Sequence, residues 1–170
     1  CVTDQPLPEA IAAARAQVAE RGLAPPVAYQ IDEALRTYGT PYREEAPRAV
    51  EGQSANVLYA GDDAPYLWPE ALSAALELAA ALGIEPVQAG YGRSSGYLAS
   101  SLGFPETARQ LAHANLDDIR QAGGARVIVL SPGDYFTFGQ LWAERLGIEW
   151  PEDLALVELV TLLDVALAEG

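Results

Sequence analysis

The sequence is poor in the residues that make covalent cross-links and soft metal sites. Its 170 residues include one cysteine, Cys1, and one histidine, His113, with no methionine and no lysine. A single cysteine excludes an intramolecular disulfide, and this chain alone cannot supply the thiolates of a four-cysteine zinc site or of an ordinary iron–sulfur cluster. The lack of methionine even at position 1 predicts that the sequence begins inside a longer product, and a lipid on Cys1, as in a mature lipoprotein, stays an open alternative.

Basic residues are also scarce. Ten arginines stand against 24 acidic residues, which gives a net charge of −14 and an isoelectric point near 4.2. Nucleic acid and anionic lipid repel such a chain, so neither is an expected partner. The longest apolar stretches are interrupted by Glu77, Glu158 and Asp164, and none reaches the roughly 18 to 20 residues of a membrane span. We therefore expect a cytoplasmic protein without membrane insertion, either free or on the cytoplasmic side of a membrane complex.

The first third of the chain differs from the rest. A helix is predicted over residues 8–21 and a shorter one over 31–37, and the following residues to 52 have the composition of irregular coil. The remainder alternates short apolar segments with helical ones and holds sixteen acidic residues against five arginines. We predict a helical arm or linker over residues 1–55 and a module over 56–170.

Three apolar strands and several helices are predicted within the module. The strands cover 56–60, 85–89 and 126–130. The helices cover 68–82, 107–122 and 135–146, and the last stretch, 154–168, is helical, with a short edge strand before it left open. Strands joined by helices of this length require right-handed crossovers. This pattern predicts an α/β fold, a small parallel sheet with helices on both faces.

Glycine, serine and aspartate fill the loops after the three predicted strands. The loop sequences are GDDAP, GYGRSSGY and SPGDY. Because ligands of such sheets bind outside the carboxyl ends of the strands, these loops form the candidate site. Ser94, Ser95 and Asp134 also stand where residues that cap helices are typical, so capping and turn formation explain part of the pattern without any ligand.

The spacing of three elements in these loops resembles a known domain. The elements are Gly61-Asp62, Ser94-Ser95-Gly96 and Ser131-Pro132-Gly133-Asp134-Tyr135. They resemble the Gly-Cys, Cys-Cys-Gly and Cys-Pro-x-Cys elements of the cysteine-rich CCG domain of iron–sulfur oxidoreductases, such as the heterodisulfide reductases and the iron–sulfur component of glycolate oxidase. The resemblance covers about residues 55–168 and implies a Rossmann-like module. It also implies that the first residues are the tail of a ferredoxin-like segment.

All five cysteines of the family pattern are replaced in this chain. Aspartate or serine stands at the positions that the resemblance assigns to cluster ligands, namely Asp62, Ser94, Ser95, Ser131 and Asp134. Hydroxyls and carboxylates are hard ligands and hold iron–sulfur clusters poorly. The resemblance therefore implies a degenerate module without a cofactor, its ancestral cluster lost. We do not expect it to be an enzyme by itself, although family members are oxidoreductase subunits.

Several functions remain open for such a module. The first is a structural or docking part of a redox assembly, whose protein partner is another subunit or the upstream part of the same chain. The second is a hard-cation site on Asp62, Asp63 and Asp134, since Mg²⁺ and Ca²⁺ prefer oxygen ligands. The third is an enzyme in which Ser94 or Ser95 is the nucleophile and His113 the base, although no Gly-x-Ser-x-Gly element is present.

A basic residue beside the serines favours one more kind of ligand. Arg93 directly precedes Ser94, and a guanidinium next to a helix N-terminus attracts small anions. A small-ligand site in the crevice would then have a preference for charge opposite to that of the cation site.

Overall fold

Four parallel strands form the sheet of this protein. The computed structural model describes residues 7–42 and 52–169. The strands are β1 (Asn56–Tyr59), β2 (Val87–Ala89), β3 (Arg126–Val129) and β4 (Ala155–Glu158). Their order across the sheet is β2-β1-β3-β4, and every neighbouring pair is parallel. The sheet confirms the predicted α/β class.

Helices follow each strand, and four of the eight helices in the described residues begin at a proline. The helices are α1 (Leu7–Glu20), α2 (Pro26–Tyr38), α3 (Asp63–Leu67), α4 (Pro69–Ala81), α5 (Tyr97–Leu102), α6 (Pro105–Gln121), α7 (Pro132–Phe136) and α8 (Leu159–Glu169). A π-helical segment, Thr137–Leu146, continues α7. Proline suits a first helical position because its fixed φ is already helical and its missing N–H would have no partner there.

Helices cover both faces of the sheet, as predicted. Successive strand residues point to opposite sides, so Val57 and Val127 face one layer while Leu58 and Ile128 face the other. The first layer contains α2, α5, α6 and the π-helical segment, and the second contains α4 and α8. Because both faces are covered, the central strands are apolar and buried after their first residues, Asn56 and Arg126, which is the pattern of a buried parallel strand.

Some element boundaries differ from the predicted ones for local physical reasons. α2 begins at Pro26 and not at residue 31, because Pro26 occupies the first helical position. A helix was predicted over 154–168, but residues 155–158 form the strand β4. They do so because they pair with β3, with Ala155 opposite Arg126. The short helices α3 and α5 were not predicted. Of the predicted coil, residues 43–51 lie outside the described ranges.

The N-terminal helices pack on the helices of the module. The Arg15 side chain donates to the carbonyl of Ser101 at 3.0 Å. Gly103 has a φ of +96°, and a Cβ there would lie 2.5 Å from the carbonyl oxygen of Arg15, so only glycine permits this approach. The ring of Tyr29 meets Phe104 edge to face. Among the helices of the described residues, none combines the length and apolar character needed to cross a membrane.

Candidate functional site

The strand order places a crevice between two of the three candidate loops. After β1 the chain adds β2 on one side of it, and it then crosses back to add β3 on the other side. The direction in which strands are added to the sheet therefore changes between β1 and β3. Ligands of open α/β sheets bind outside the carboxyl ends at such a switch point. The loops after β1 and β2 are joined there by a hydrogen bond of 2.7 Å from the Gly92 N–H to the Gly61 carbonyl.

Ser131 and Asp134 form one side of this crevice. Ser131 is the N-cap of α7: its Oγ accepts from the backbone N–H of Asp134 at 3.1 Å and donates to Oδ2 of the same residue at 2.9 Å. Asp134 was a predicted cap, but the cap is Ser131. The Asp134 carboxylate reaches across toward β1, since a Cβ on Gly61 would lie 3.9 Å from its Oδ2.

Burial raises the pKa of the Asp134 carboxyl above its usual value. Hydrogen bonds from Ser131 and Ser95 oppose this effect, and the negative charge of Asp63 adds to it. The residue carries no basic partner within the described part of the chain. The Asp134 carboxylate is therefore held by two hydroxyls and lacks the cation that would stabilise its charge.

Asp62 forms the opposite side of the crevice. Burial raises the pKa of its carboxyl from 3.8 to about 7, with the charges of Asp63 and Asp134 adding to the increase and a hydrogen bond from Ser94 opposing it. Asp62 and Asp134 thus lie close enough to repel one another. The structure therefore brings Asp62, Ser94, Ser95, Ser131 and Asp134 together in one crevice.

Asp63 lies near this pair and is bonded to a tyrosine outside it. Its side chain is exposed and accepts a hydrogen bond of 2.5 Å from the Tyr42 hydroxyl, and Tyr42 packs against Tyr66 with ring centres 5.0 Å apart. Burial and this carboxylate raise the pKa of the Tyr42 phenol. Over residues 7–42 and 52–169, no group of three His, Cys, Asp or Glu side chains is arranged to hold a metal ion. The described geometry therefore gives the cation hypothesis on Asp62, Asp63 and Asp134 no support.

A buried polar layer lies beneath the crevice. The Tyr59 hydroxyl donates to the carbonyl of Arg93 at 2.7 Å, Asn115 Nδ2 donates to the carbonyl of Ser94 at 2.9 Å, and Trp142 Nε1 donates to the carbonyl of Ser95 at 2.9 Å. These three bonds fix the backbone that carries the two serines. Burial, with the charges of Asp134 and Asp62, raises the pKa of Tyr59 well above its usual value, so the donor stays protonated.

None of these three supporting residues was predicted as part of the site from the sequence. Asn115 had a detectable signal, because it stands on the apolar face of α6 beside Leu111 and Leu116, and a polar residue on such a face needs a buried partner. Its Oδ1 is the one buried side-chain oxygen of the described residues without a hydrogen bond. Tyr59 and Trp142 carried no comparable signal, since aromatic residues are common in any core.

The serines do not serve as helix caps and lie apart from the histidine. Ser94 and Ser95 are buried, and the N-cap of α5 is Gly96, with a φ of +90° and no side-chain cap bond, so the predicted capping role is wrong. His113 is exposed on the outer face of α6, whose inner face presents Asn115 to the serine segment. A nucleophile activated by His113 therefore has no structural basis.

The Arg93 side chain is directed toward α6 and not into the crevice. Its Nη1 donates to the carbonyl of Ala114 at 3.1 Å and pairs with Asp118 at 2.5 Å, both on α6. The guanidinium is consequently bonded to α6 and not to either aspartate of the crevice. The hypothesis of an anion held by Arg93 inside the crevice does not fit this geometry.

The donor atoms of the crevice do not suit an iron–sulfur cluster. Its five side chains offer two carboxylates and three hydroxyls, and the chain's sole cysteine lies outside the described residues. The hydroxyls are engaged by the carboxylates. Hard oxygen donors that already bind one another cannot replace a thiolate shell.

Comparison with models of protein families, with curated proteins and with solved structures yields no match to this chain.

Proposed function

We propose that the chain is a cluster-free, non-catalytic module of the CCG type that serves as a structural or docking part of an iron–sulfur redox assembly. The observation that carries the proposal is the convergence of Asp62, Ser94, Ser95, Ser131 and Asp134 in one crevice at the switch point. These are the five positions that the family resemblance assigns to cluster ligands. Their carboxylates and hydroxyls bind one another. This supports the interpretation that the crevice has a structural role and holds no cluster.

Restoring the five cysteines tests the family assignment directly. We expect a variant with cysteine at residues 62, 94, 95, 131 and 134 to bind an iron–sulfur cluster after anaerobic reconstitution with iron and sulfide, because thiolates would then replace the oxygen donors at a geometry suited to ligation. The unmodified chain should stay colourless and free of acid-labile sulfide. Iron and sulfide analysis with visible absorption measures both outcomes.

A control variant with the same number of cysteines separates ligation from nonspecific binding. It keeps cysteine at residues 62, 94 and 95 but carries Ser73→Cys and Asp117→Cys in place of the changes at residues 131 and 134. Ser73 and Asp117 are exposed on α4 and α6, away from the crevice. A cluster in the unmodified chain, or equal iron and sulfide in both cysteine variants, would contradict the proposal, as would a folded five-cysteine variant that binds none.

An exposed apolar stripe on α1 supports the docking role. Leu7, Ile11 and Val18 are 61%, 42% and 41% exposed, and Ala14 between them is also exposed. Spacings of four, seven and eleven residues place all four on one face of the helix. A continuous exposed apolar face of this kind is typical of a helix that lies in the groove of a partner.

The docking surface is tested with variants that add charge to the stripe. We expect Ile11→Glu combined with Val18→Glu to weaken binding of the partner at least about tenfold, because a buried unpaired carboxylate is costly. The partner is obtained by cross-linking in cells that produce the protein, identified by mass spectrometry, purified and titrated by calorimetry. The control is Val165→Glu, an exposed apolar position on α8, which should leave affinity unchanged.

The nature of the partner decides whether the redox assignment holds. A partner that itself contains an iron–sulfur cluster or a flavin, and that requires the α1 stripe, supports the proposal. A partner without a redox centre would contradict the assignment of this chain to a redox assembly. An affinity that is equal for the stripe variant and the α8 control would exclude α1 as the docking surface.

A further inference from the structure

A groove of about 320 Å³ lies between α2 and α6, outside the crevice. Its polar lining includes Arg36, Arg93, Thr107 and Gln110, and its apolar lining includes Leu35, Leu111 and Ala114. This volume is at the lower end of the range of small-molecule sites, and the lining combines several polar side chains with a few apolar ones. The chain has only ten basic residues, and two of them line this groove.

A buried network holds Arg36 in place. Asp32 and Thr107 are 7% and 1% exposed, and the Thr107 hydroxyl donates to Asp32 Oδ1 at 2.5 Å. Arg36 Nε donates to Thr107 Oγ1 at 2.9 Å and pairs with Asp32 Oδ2 at 3.0 Å. Only one edge of the guanidinium is used. Within the described ranges its two terminal nitrogens have no hydrogen-bond partner, so those residues leave up to four of its N–H donors unused.

Arg93 is fixed in a similar way from the opposite side. Its Nη1 is held by Ala114 and Asp118, while its Nε and Nη2 bond to none of the residues that the structure describes. The stem of Arg93 packs on Gly39, where a Cβ would lie 3.3 Å from Cγ at a φ of +77°. Two guanidiniums with their positions set by carboxylates thus line the same groove, and each keeps N–H groups that no described residue bonds.

We propose that this groove binds a small organic anion, with a carboxylate or phosphate group between Arg36 and Arg93 and a short carbon frame against Leu35, Leu111 and Ala114. Planar guanidiniums match both groups because they offer parallel N–H donors. Asp32 and Asp118 balance the positive charge, so binding relies on directed hydrogen bonds more than on net charge. The groove is separate from the crevice, and the inference does not rest on the proposed redox role.

Calorimetric titration of the full chain with three probes tests the inference. The probes are inorganic phosphate, succinate and, as an uncharged analogue, succinamide, at a constant ionic strength of about 0.15 M. We expect saturable binding of phosphate or succinate with a Kd of about 1 mM or lower and no binding of succinamide. Saturation by phosphate alone assigns a phosphorylated ligand, by succinate alone a carboxylate ligand, and by both a shared anion site.

Charge variants on one helix then locate the site. Gln110→Glu adds a negative charge to the groove at an exposed position, and Gln121→Glu adds the same charge at an exposed position of α6 outside it. We expect the first to weaken anion binding at least about tenfold and the second less than about twofold. Arg93→Lys keeps the charge but loses the parallel N–H donors of the guanidinium, and it should weaken anion binding severalfold. Absence of saturation by both anions, equal losses in the two glutamate variants, or unchanged binding in Gln110→Glu would overturn the inference.

Discussion

Replacing Gly90 by alanine is expected to lower the free energy of unfolding by at least about 3 kcal/mol or to prevent folding. Gly90 follows β2 with a φ of +58°, and a Cβ there would lie 2.2 Å from Cε2 of Tyr59 and 3.0 Å from Oδ1 of Asn115. The Tyr59 ring cannot move aside, because it is buried, packs on Phe138 and donates to the carbonyl of Arg93. Urea unfolding followed by circular dichroism measures the loss.

Gly22→Ala is the matched control for this substitution. Gly22 has a similar φ of +74°, but nothing lies within 4 Å of its Cβ position. We expect this variant to lose only about 1 kcal/mol, the cost of a left-handed conformation without a clash. Equal losses at Gly22 and Gly90 would show that the packing of Tyr59 against Gly90 contributes nothing.

The contact at Gly90 matters because it supports the crevice from below. Tyr59 and Asn115 hold the carbonyls of Arg93 and Ser94; Ser94 belongs to the crevice, and Arg93 lines the groove between α2 and α6. A shift of Tyr59 would therefore move the serine segment relative to both sites. We expect Gly90→Ala, if it folds, to change the crevice and the groove together, which no substitution on α1 should do.

The sheet and its main helices could be predicted because their signals are long or repeated. Apolar strands separated by helical segments permit few topologies, and right-handed crossovers reduce them further. The short helices α3 and α5 span five and six residues, too few to show a helical period. The apolar run that contains β4 is compatible with either a strand or a helix, and only its pairing with β3 decides between them.

The convergence of the candidate loops could also be predicted, whereas the direction of their side chains could not. Carboxyl ends of parallel strands meet at one edge, which brings Asp62 near Asp134. The orientation of Asp63 toward Tyr42 and of Arg93 toward α6 depends on partners far away in sequence. With these two bonds in place, the structure gives the cation and crevice-anion hypotheses no support. Only the tertiary structure shows these bonds.

The substitution Asp62→Asn is expected to stabilise the chain at neutral pH. The pKa of Asp62 is about 7 in the folded protein against 3.8 as an ordinary carboxyl. Because the folded value is the higher one, this group's contribution to stability is lost as the pH rises from about 4 to about 7. Allowing for partial solvent screening, we expect the variant to exceed the parent by about 2 kcal/mol at about pH 8. Near pH 4 the two should be equally stable.

Asp117→Asn is the control, since Asp117 is exposed on α6 and its replacement removes the same unit of charge. Urea unfolding at several pH values should show a pH-dependent gain for Asp62→Asn and a change of less than about 0.5 kcal/mol for Asp117→Asn. Equal gains would assign the effect to the net charge of −14 and not to the crevice.

Partner binding by the stabilised variant then distinguishes two roles of the carboxylate. If affinity for the partner is retained, the Asp62 carboxylate only lowers stability and takes no part in recognition, as the docking proposal requires. If affinity is lost, the crevice itself takes part in recognition, because a destabilising carboxylate is maintained at a position where it performs a function.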